Sequence, residues 1–200
     1  MAASRSRHVR RRLAASALAV LLAAPEAALA QSLQDKIAQC AACHGEDGRS
    51  KDPGIPHIGG QPKLAVMYQL FFYREGRRKS PEMNLVTKDL TDAELTAIAE
   101  HVAQLPPPPT VADAIDQARY RRGAALADRQ LCASCHNPDY SGREQMPRLA
   151  GQYEAYTVKA LQDYRTGTRI GTQAAMAEAV RGLTDADFAD LAYFLARVRP

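Results

Sequence analysis

The sequence has no tryptophan, and aromatic residues make up only 6% of its 200 positions. A chain so poor in large rings has little with which to fill a small core, unless another apolar body is buried with it. No stretch alternates apolar and polar residues at a period of two, which excludes a substantial sheet. Beyond residue 30 no apolar run approaches the length of a membrane span, so the mature chain is expected to be soluble, with peripheral membrane association left open. An excess of one charge is missing too. The chain carries 26 basic and 22 acidic residues, but five arginines and one glutamate of these fall within residues 1–30. The remainder is formally neutral, which removes the case for nucleic-acid binding.

Cysteine is scarce, and its placement is the most informative feature of the chain. All four cysteines lie in Cys40-Ala41-Ala42-Cys43-His44 and Cys132-Ala133-Ser134-Cys135-His136. Two thiols about one helical turn apart can both reach the vinyl groups on one porphyrin edge. The histidine that follows is then brought under the ring, where its imidazole can bind iron. The rival readings are two disulfides, an all-thiolate zinc site or a thioredoxin-like redox pair. None of them requires a histidine directly after the second cysteine, and none requires it twice. Two covalently bound haem c groups are therefore the expected cofactors, tethered by Cys40, Cys43, Cys132 and Cys135, with His44 and His136 as axial ligands.

The start of the chain sets the expected compartment. Arg5, Arg7, Arg10, Arg11 and Arg12 form a basic segment, Leu13 to Ala24 a short apolar core, and Ala28-Leu29-Ala30 a small-x-small cleavage pattern. Residues 1–30 thus read as a cleaved secretory signal, and the mature chain as periplasmic.

What remains is one motif order written twice. A shift of 91 to 93 residues carries the first CxxCH onto the second, Pro56 onto Pro147, and Gly60-Gln61 onto Gly151-Gln152. It also carries Tyr73-Arg74 onto Tyr164-Arg165, Gly76-x-Arg78 onto Gly167-x-Arg169, Met83 onto Met176, and Leu90-Thr91-Asp92-Ala93 onto Leu183-Thr184-Asp185-Ala186. The expected division is domain one at 31–105, a proline-rich linker at 106–112 that acts as a stiff spacer, and domain two at 113–200. Periodicity makes both domains helical. Leu64, Met67, Tyr68 and Phe71 form one apolar stripe, Leu95, Ile98, Ala99 and Val102 a second, and Phe188, Leu191, Leu195 and Val198 a third. Thr91-x-x-Glu94 reads as a capping box, and Thr184-x-x-Asp187 as a weaker one.

A haem held by one histidine has a second axial face, and methionine there gives a closed, relatively high-potential iron. Only Met83 and Met176 align between the copies, each seven residues before Leu-Thr and expected in a loop, so they are the expected sixth ligands. Met67 and Met146 match Val158 and Ile55 and read as packing residues. His57 and His101 have no counterpart histidine and read as a loop residue and a helix-surface residue. The carbonyls of Pro56 and Pro147 are candidate acceptors for the axial imidazoles. Arg78 and Arg169, with Tyr73 and Tyr164, are candidate partners for haem carboxylates.

These residues together resemble the cytochrome c4 family, dihaem c-type cytochromes of bacterial periplasms. The likeness rests on Cys-Ala-Ala-Cys-His-Gly, the Pro-x-Ile-Gly-Gly-Gln and Pro-x-Leu-Ala-Gly-Gln loops, the Gly-x-Arg pairs and Met-x6-Leu-Thr-Asp, and it covers the whole mature chain. It departs at Asn137, where the motif has glycine, which predicts an altered loop beside the second haem. The resemblance implies an all-α fold of two tandem class I cytochrome c domains, related by a pseudo-two-fold axis with propionate edges facing. It implies a non-enzymatic carrier that passes single electrons from a respiratory donor, such as a cytochrome bc1-type complex, to a terminal oxidase or other acceptor. The competing readings are a cytochrome subunit of a dehydrogenase complex and a dihaem enzyme of the peroxidase or thiosulfate-oxidising kind.

Overall fold

The computed structural model describes residues 24–169 and 174–200, with side chains from Leu33 onward. Residues 1–23 of the expected signal lie outside the described residues. Among the described residues no helix is long and apolar enough to cross a membrane, and no strand forms beyond one isolated bridge between Arg143 and Met146. In chain order the helices are α1 (Ala24–His44), α2 (Lys63–Arg74), α3 (Pro81–Thr87), α4 (Asp92–Gln104), α5 (Gln117–Arg129), α6 (Cys132–His136), α7 (Glu154–Arg165), α8 (Ala175–Ala179) and α9 (Asp185–Arg197). Both CxxCH motifs belong to one compact unit, Gln39–Pro200, in which α2–α4 pack together as one lobe and α5–α9 as another.

In lobe one α2 packs on α4 and α3, and in lobe two α9 packs on α5 and α7. The α5–α9 crossing is close because Gly123 lies at it. A Cβ on Gly123 would stand 2.1 Å from the Asp190 carbonyl oxygen and 2.6 Å from Phe194 Cβ. Phe194 then fills the core edge-on to Tyr120 and Tyr140, with ring centroids 5.1 and 5.4 Å away, among Leu126, Ala127, Leu191 and Leu195. Offset and edge-on rings gain from their quadrupoles as well as from burial.

The repeated motifs hold one another. Arg74 reaches from the end of α2 to the Leu90 carbonyl and the Asp92 carboxylate. Arg165 reaches from the end of α7 to the Leu183 carbonyl and Asp185. Each arginine thus fixes the start of the last helix of its lobe, where Asp in the first turn also favours the helix dipole. Both capping boxes form in full: the Thr91 and Thr184 hydroxyls accept from Glu94 N and Asp187 N, and the acidic side chains accept from the threonine backbones. The second is complete, not weak, because the shorter aspartate still reaches Thr184 N at 2.8 Å.

The proline run packs on both copies of the Gly-Gln pair. Pro107 lies against Gly60 and the Pro108 and Pro109 carbonyls against Gly151, close enough that a Cβ on either glycine would sit about 3.0 Å from them. The Gly-Gln pairs recur because the proline run passes over both. On α2 the stripe of Leu64, Met67, Tyr68 and Phe71 is not the buried face; Ala65, Leu70 and Phe72 are buried, while Leu64 and Tyr68 are exposed. The helix is apolar on several sides, so a 3.6-residue period cannot choose among them. In lobe two, Phe188, Leu191 and Leu195 are buried on α9, and Val198 lies just past the helix end as its C-cap.

Candidate functional site

Each CxxCH motif ends a helix, α1 or α6. The helical turn puts Cys40 next to Cys43 and Cys132 next to Cys135 on one face. All four thiols are free. Burial, the largest influence, raises the pKa of Cys40 and Cys132, so they are not the activated thiolates a redox pair needs. Among the described residues no group of three or more His, Cys, Asp or Glu side chains gathers as a metal site would require, and the two thiol pairs therefore do not combine into a zinc centre.

Both histidines are buried, and each is held through Nδ1 by the expected proline carbonyl: His44 by Pro56 at 2.9 Å and His136 by Pro147 at 2.7 Å. A carbonyl only accepts, so the Nδ1 atoms carry the protons and the Nε2 lone pairs are bare. Burial also lowers both histidine pKa values, only partly opposed by the proline bonds, and keeps the rings neutral. His136 Nε2 is buried with no hydrogen-bond partner. A buried, bare imidazole nitrogen is a metal ligand in waiting.

Met83 lies in α3 and Met176 in α8, so both stand on short helices instead of in loops. Ser80 caps α3 by accepting from Met83 N, Pro81 occupies the first turn, and Thr87 donates its hydroxyl to the Met83 carbonyl. Asn84 ties the same turn to the Tyr73 and Arg78 carbonyls. Both methionines are half-buried. His57 is in coil as expected, with its ring 4.1 Å from that of Tyr153, and His101 is half-buried on α4. Asn137 takes φ 70, beside φ 81 at the matching Gly45. Asn137 keeps the positive φ with ψ 156, a backbone region that favours glycine, and its amide holds the turn by donating to the Ser141 hydroxyl and the Gly142 carbonyl.

Two polar clusters stand out where the lobes meet, beside the bonds from Ala65 N to the Glu144 carbonyl and from the Tyr153 hydroxyl to the Ser50 carbonyl. At the first, Arg78 and Arg169 are both buried, each over the ring of its own tyrosine, Tyr73 or Tyr164. Both converge on the same two acceptors. Arg78 donates to Gln69 Oε1 at 2.5 Å and to the Tyr156 hydroxyl at 2.9 Å, and Arg169 to the same atoms at 3.3 and 3.5 Å. Arg169 Nε is buried without a partner. Neither arginine pairs with a carboxylate among the described residues. Burial alone would raise the pKa of Tyr156, yet the Arg169 and Arg78 guanidiniums beside it bring it down to about 7. Burial and the neighbouring Tyr156 also push Tyr73 up to about 12, against the pull of Arg78 and Arg169. The low value at Tyr156 is a sign of surplus buried positive charge, which calls for anions.

The second contact is reciprocal. Gln152 donates to the His57 carbonyl and accepts from His57 N, at 2.9 and 3.0 Å. Gln61 donates to the Arg148 carbonyl and accepts from Arg148 N, at 3.0 and 2.9 Å. Sequence reasoning gave the glutamines no role, although their repetition was visible. It had no signal for Gln69 and Tyr156, whose counterparts are Ala160 and Ala65. Paired thiols, imidazoles bonded through Nδ1 and so free at Nε2, and buried guanidiniums without a carboxylate partner fit a metalloporphyrin with acidic side arms.

Comparison with known proteins gives a consistent picture. The family described as Cytochrome c matches residues 120–199, and that described as Cytochrome C oxidase, cbb3-type, subunit III matches residues 26–102. Cytochrome c4 of Pseudomonas aeruginosa is 32% identical over 170 residues, covering 81% of this chain and 85% of that protein. The thiosulfate dehydrogenase electron acceptor of Thiomonas intermedia is 31% identical over 198 residues, covering 94% of this chain and 91% of that protein. The crystal structure of reduced recombinant cytochrome c4 from Pseudomonas stutzeri superposes with a TM-score of 0.76 at 30% identity, covering 84% of this chain and 98% of that one.

Proposed function

Because the chain belongs to the cytochrome c4 family, we propose that it is a periplasmic electron carrier holding one haem c in each lobe. Its identity to cytochrome c4 over most of the chain carries this reading. The export signal is residues 1–30, the domains are residues 31–105 and 113–200, and residues 106–112 join them.

Cys40 and Cys43, and Cys132 and Cys135, tether the two groups by thioether bonds. His44 and His136 would hold the iron through Nε2, with Met83 and Met176 as its further ligands, and the bound haem would supply reversible one-electron chemistry. The protein's part is to keep those ligands in place. Pro56 and Pro147 fix each imidazole's tautomer and orientation, and the capping network of α3 holds the Met83 backbone. Arg78 and Arg169 supply the countercharge for the carboxylate arms. Ligands that stay in place on oxidation and reduction keep reorganisation small, which suits a carrier and leaves no open position for substrate. Partners would dock weakly through a small interface.

Mass spectrometry of the exported protein should show the polypeptide plus two haems, and the oxidised spectrum two low-spin haems with a methionine–iron charge-transfer band. Met83→Ala and Met176→Ala should each remove about half of that band. Bare polypeptide, or a vacant position on both irons, would defeat the reading. The likeness to a thiosulfate dehydrogenase electron acceptor favours a second reading of the partner alone. In that reading the donor is a sulfur-oxidising dehydrogenase, and co-purification of a dehydrogenase with the chain would establish it.

A further inference from the structure

The peptide group between Pro56 and His57 is hydrogen-bonded at both ends. Its carbonyl oxygen accepts from His44 Nδ1 at 2.9 Å, and its N–H donates to Gln152 Oε1, from the other lobe, at 3.0 Å. The peptide between Pro147 and Arg148 repeats the arrangement. It accepts from His136 Nδ1 at 2.7 Å and donates to Gln61 Oε1, again from the other lobe, at 2.9 Å. Each axial imidazole is thus the head of a short chain, imidazole N–H to peptide to glutamine, that crosses the lobe boundary. Hydrogen bonds in series polarise one another, and a peptide that donates through its N–H is a better acceptor at its oxygen. A better acceptor at Nδ1 makes the imidazole a stronger electron donor through Nε2. The second bond of each glutamine, from its amide to the His57 or Arg148 carbonyl, fixes the side chain so that Oε1 faces the N–H. Gln152 is buried, so water does not readily replace it.

We propose that Gln61 and Gln152 are positioning residues that set the donor strength of the axial histidine in the opposite lobe, Gln152 for His44 and Gln61 for His136. The proposal rests on the haem reading above. It predicts a crossed effect: a change in one lobe moves the potential of the haem in the other.

The test uses the full haem-loaded chain. Gln152→Met keeps the length and burial of the side chain but cannot accept from His57 N. Haem content and low-spin spectra are measured first, then each haem's potential by a titration followed by NMR, with the two axial methionine signals assigned from the Met83→Ala and Met176→Ala variants. Amide exchange at His57 gives a readout independent of redox state. In Gln152→Met the lobe-one haem should shift to higher potential, its oxidised-to-reduced ratio at fixed ambient potential falling about twofold to fivefold. The His57 amide should exchange faster, and the lobe-two haem should stay within error. Gln61→Met should give the mirror image. Loss of haem from wild type and variants alike overturns the haem reading and this proposal together. Intact haems with unchanged potentials, equal shifts of both haems, or a shift confined to the variant's own lobe overturn this proposal alone. Equal shifts would mean that the glutamines merely hold the lobes together.

Discussion

Asp190 shows how much a single side chain does in lobe two. It accepts from Arg122 Nε at 2.5 Å and Nη2 at 3.1 Å, and from Arg119 Nε at 3.4 Å. The Arg122 bonds first, with Arg119 adding to them, hold its carboxyl below the usual carboxylate range against the opposing effect of burial. A carboxyl with a depressed folded-state pKa contributes stability that is fully present above its unfolded value of about 3.9 and is lost as pH falls through the folded value. The melting temperature of the holoprotein should therefore drop more steeply below about pH 4 in wild type than in Asp190→Asn, and the two curves should converge in acid. Parallel curves would remove Asp190 from the acid response. At this scale the repeat was a good guide. Arg74, Arg165, Pro56 and Pro147 were all marked by recurrence, because each does the same local task twice. Gln69 and Tyr156 were not, because their task exists once, at the lobe boundary.

At the scale of elements, caps and crossings decide where the helices start and how near they come. Both capping boxes were readable from Thr-x-x-Glu and Thr-x-x-Asp, since a cap is a contact within one turn. The α5–α9 crossing was not readable, because nothing near Gly123 says which backbone will approach it. Gly123→Ala should cost about 1–3 kcal/mol, the range for overpacking a tight core, since the obstacle is the Asp190 carbonyl and not a mobile side chain. Chemical denaturation of the holoprotein measures it, and a change within about 0.5 kcal/mol would mean the helices can part freely. The same limit explains α2. Its sequence is apolar on several sides, and only its packing against α4 and α3 selects Ala65, Leu70 and Phe72 as the buried face.

For the whole molecule, the demand for haem follows from what the lobes bury. Each is small, and between them they enclose a bare imidazole nitrogen on His136, two arginines without carboxylates and an unpartnered Nε on Arg169. Buried charge without an anion is strongly destabilising. The haem-free chain should therefore be largely unfolded, with weak far-ultraviolet helical signal and no cooperative melt, whereas the holoprotein melts cooperatively. A sharp melt of the haem-free chain at similar helicity would show that the polypeptide core is sufficient.

The sequence by itself determined the chemistry: thiols and histidine at fixed spacing, a duplicated order of motifs, helical periodicity and the caps that begin the last helix of each lobe. Those features are local, and short-range geometry is enough to read them. Tertiary structure alone decided that the proline run packs over Gly60 and Gly151, that Arg78 and Arg169 meet at Gln69 and Tyr156, and that each glutamine reaches the peptide behind the other lobe's histidine. Such contacts join residues dozens of positions apart, and no pattern within one copy of a repeat encodes how it faces the other.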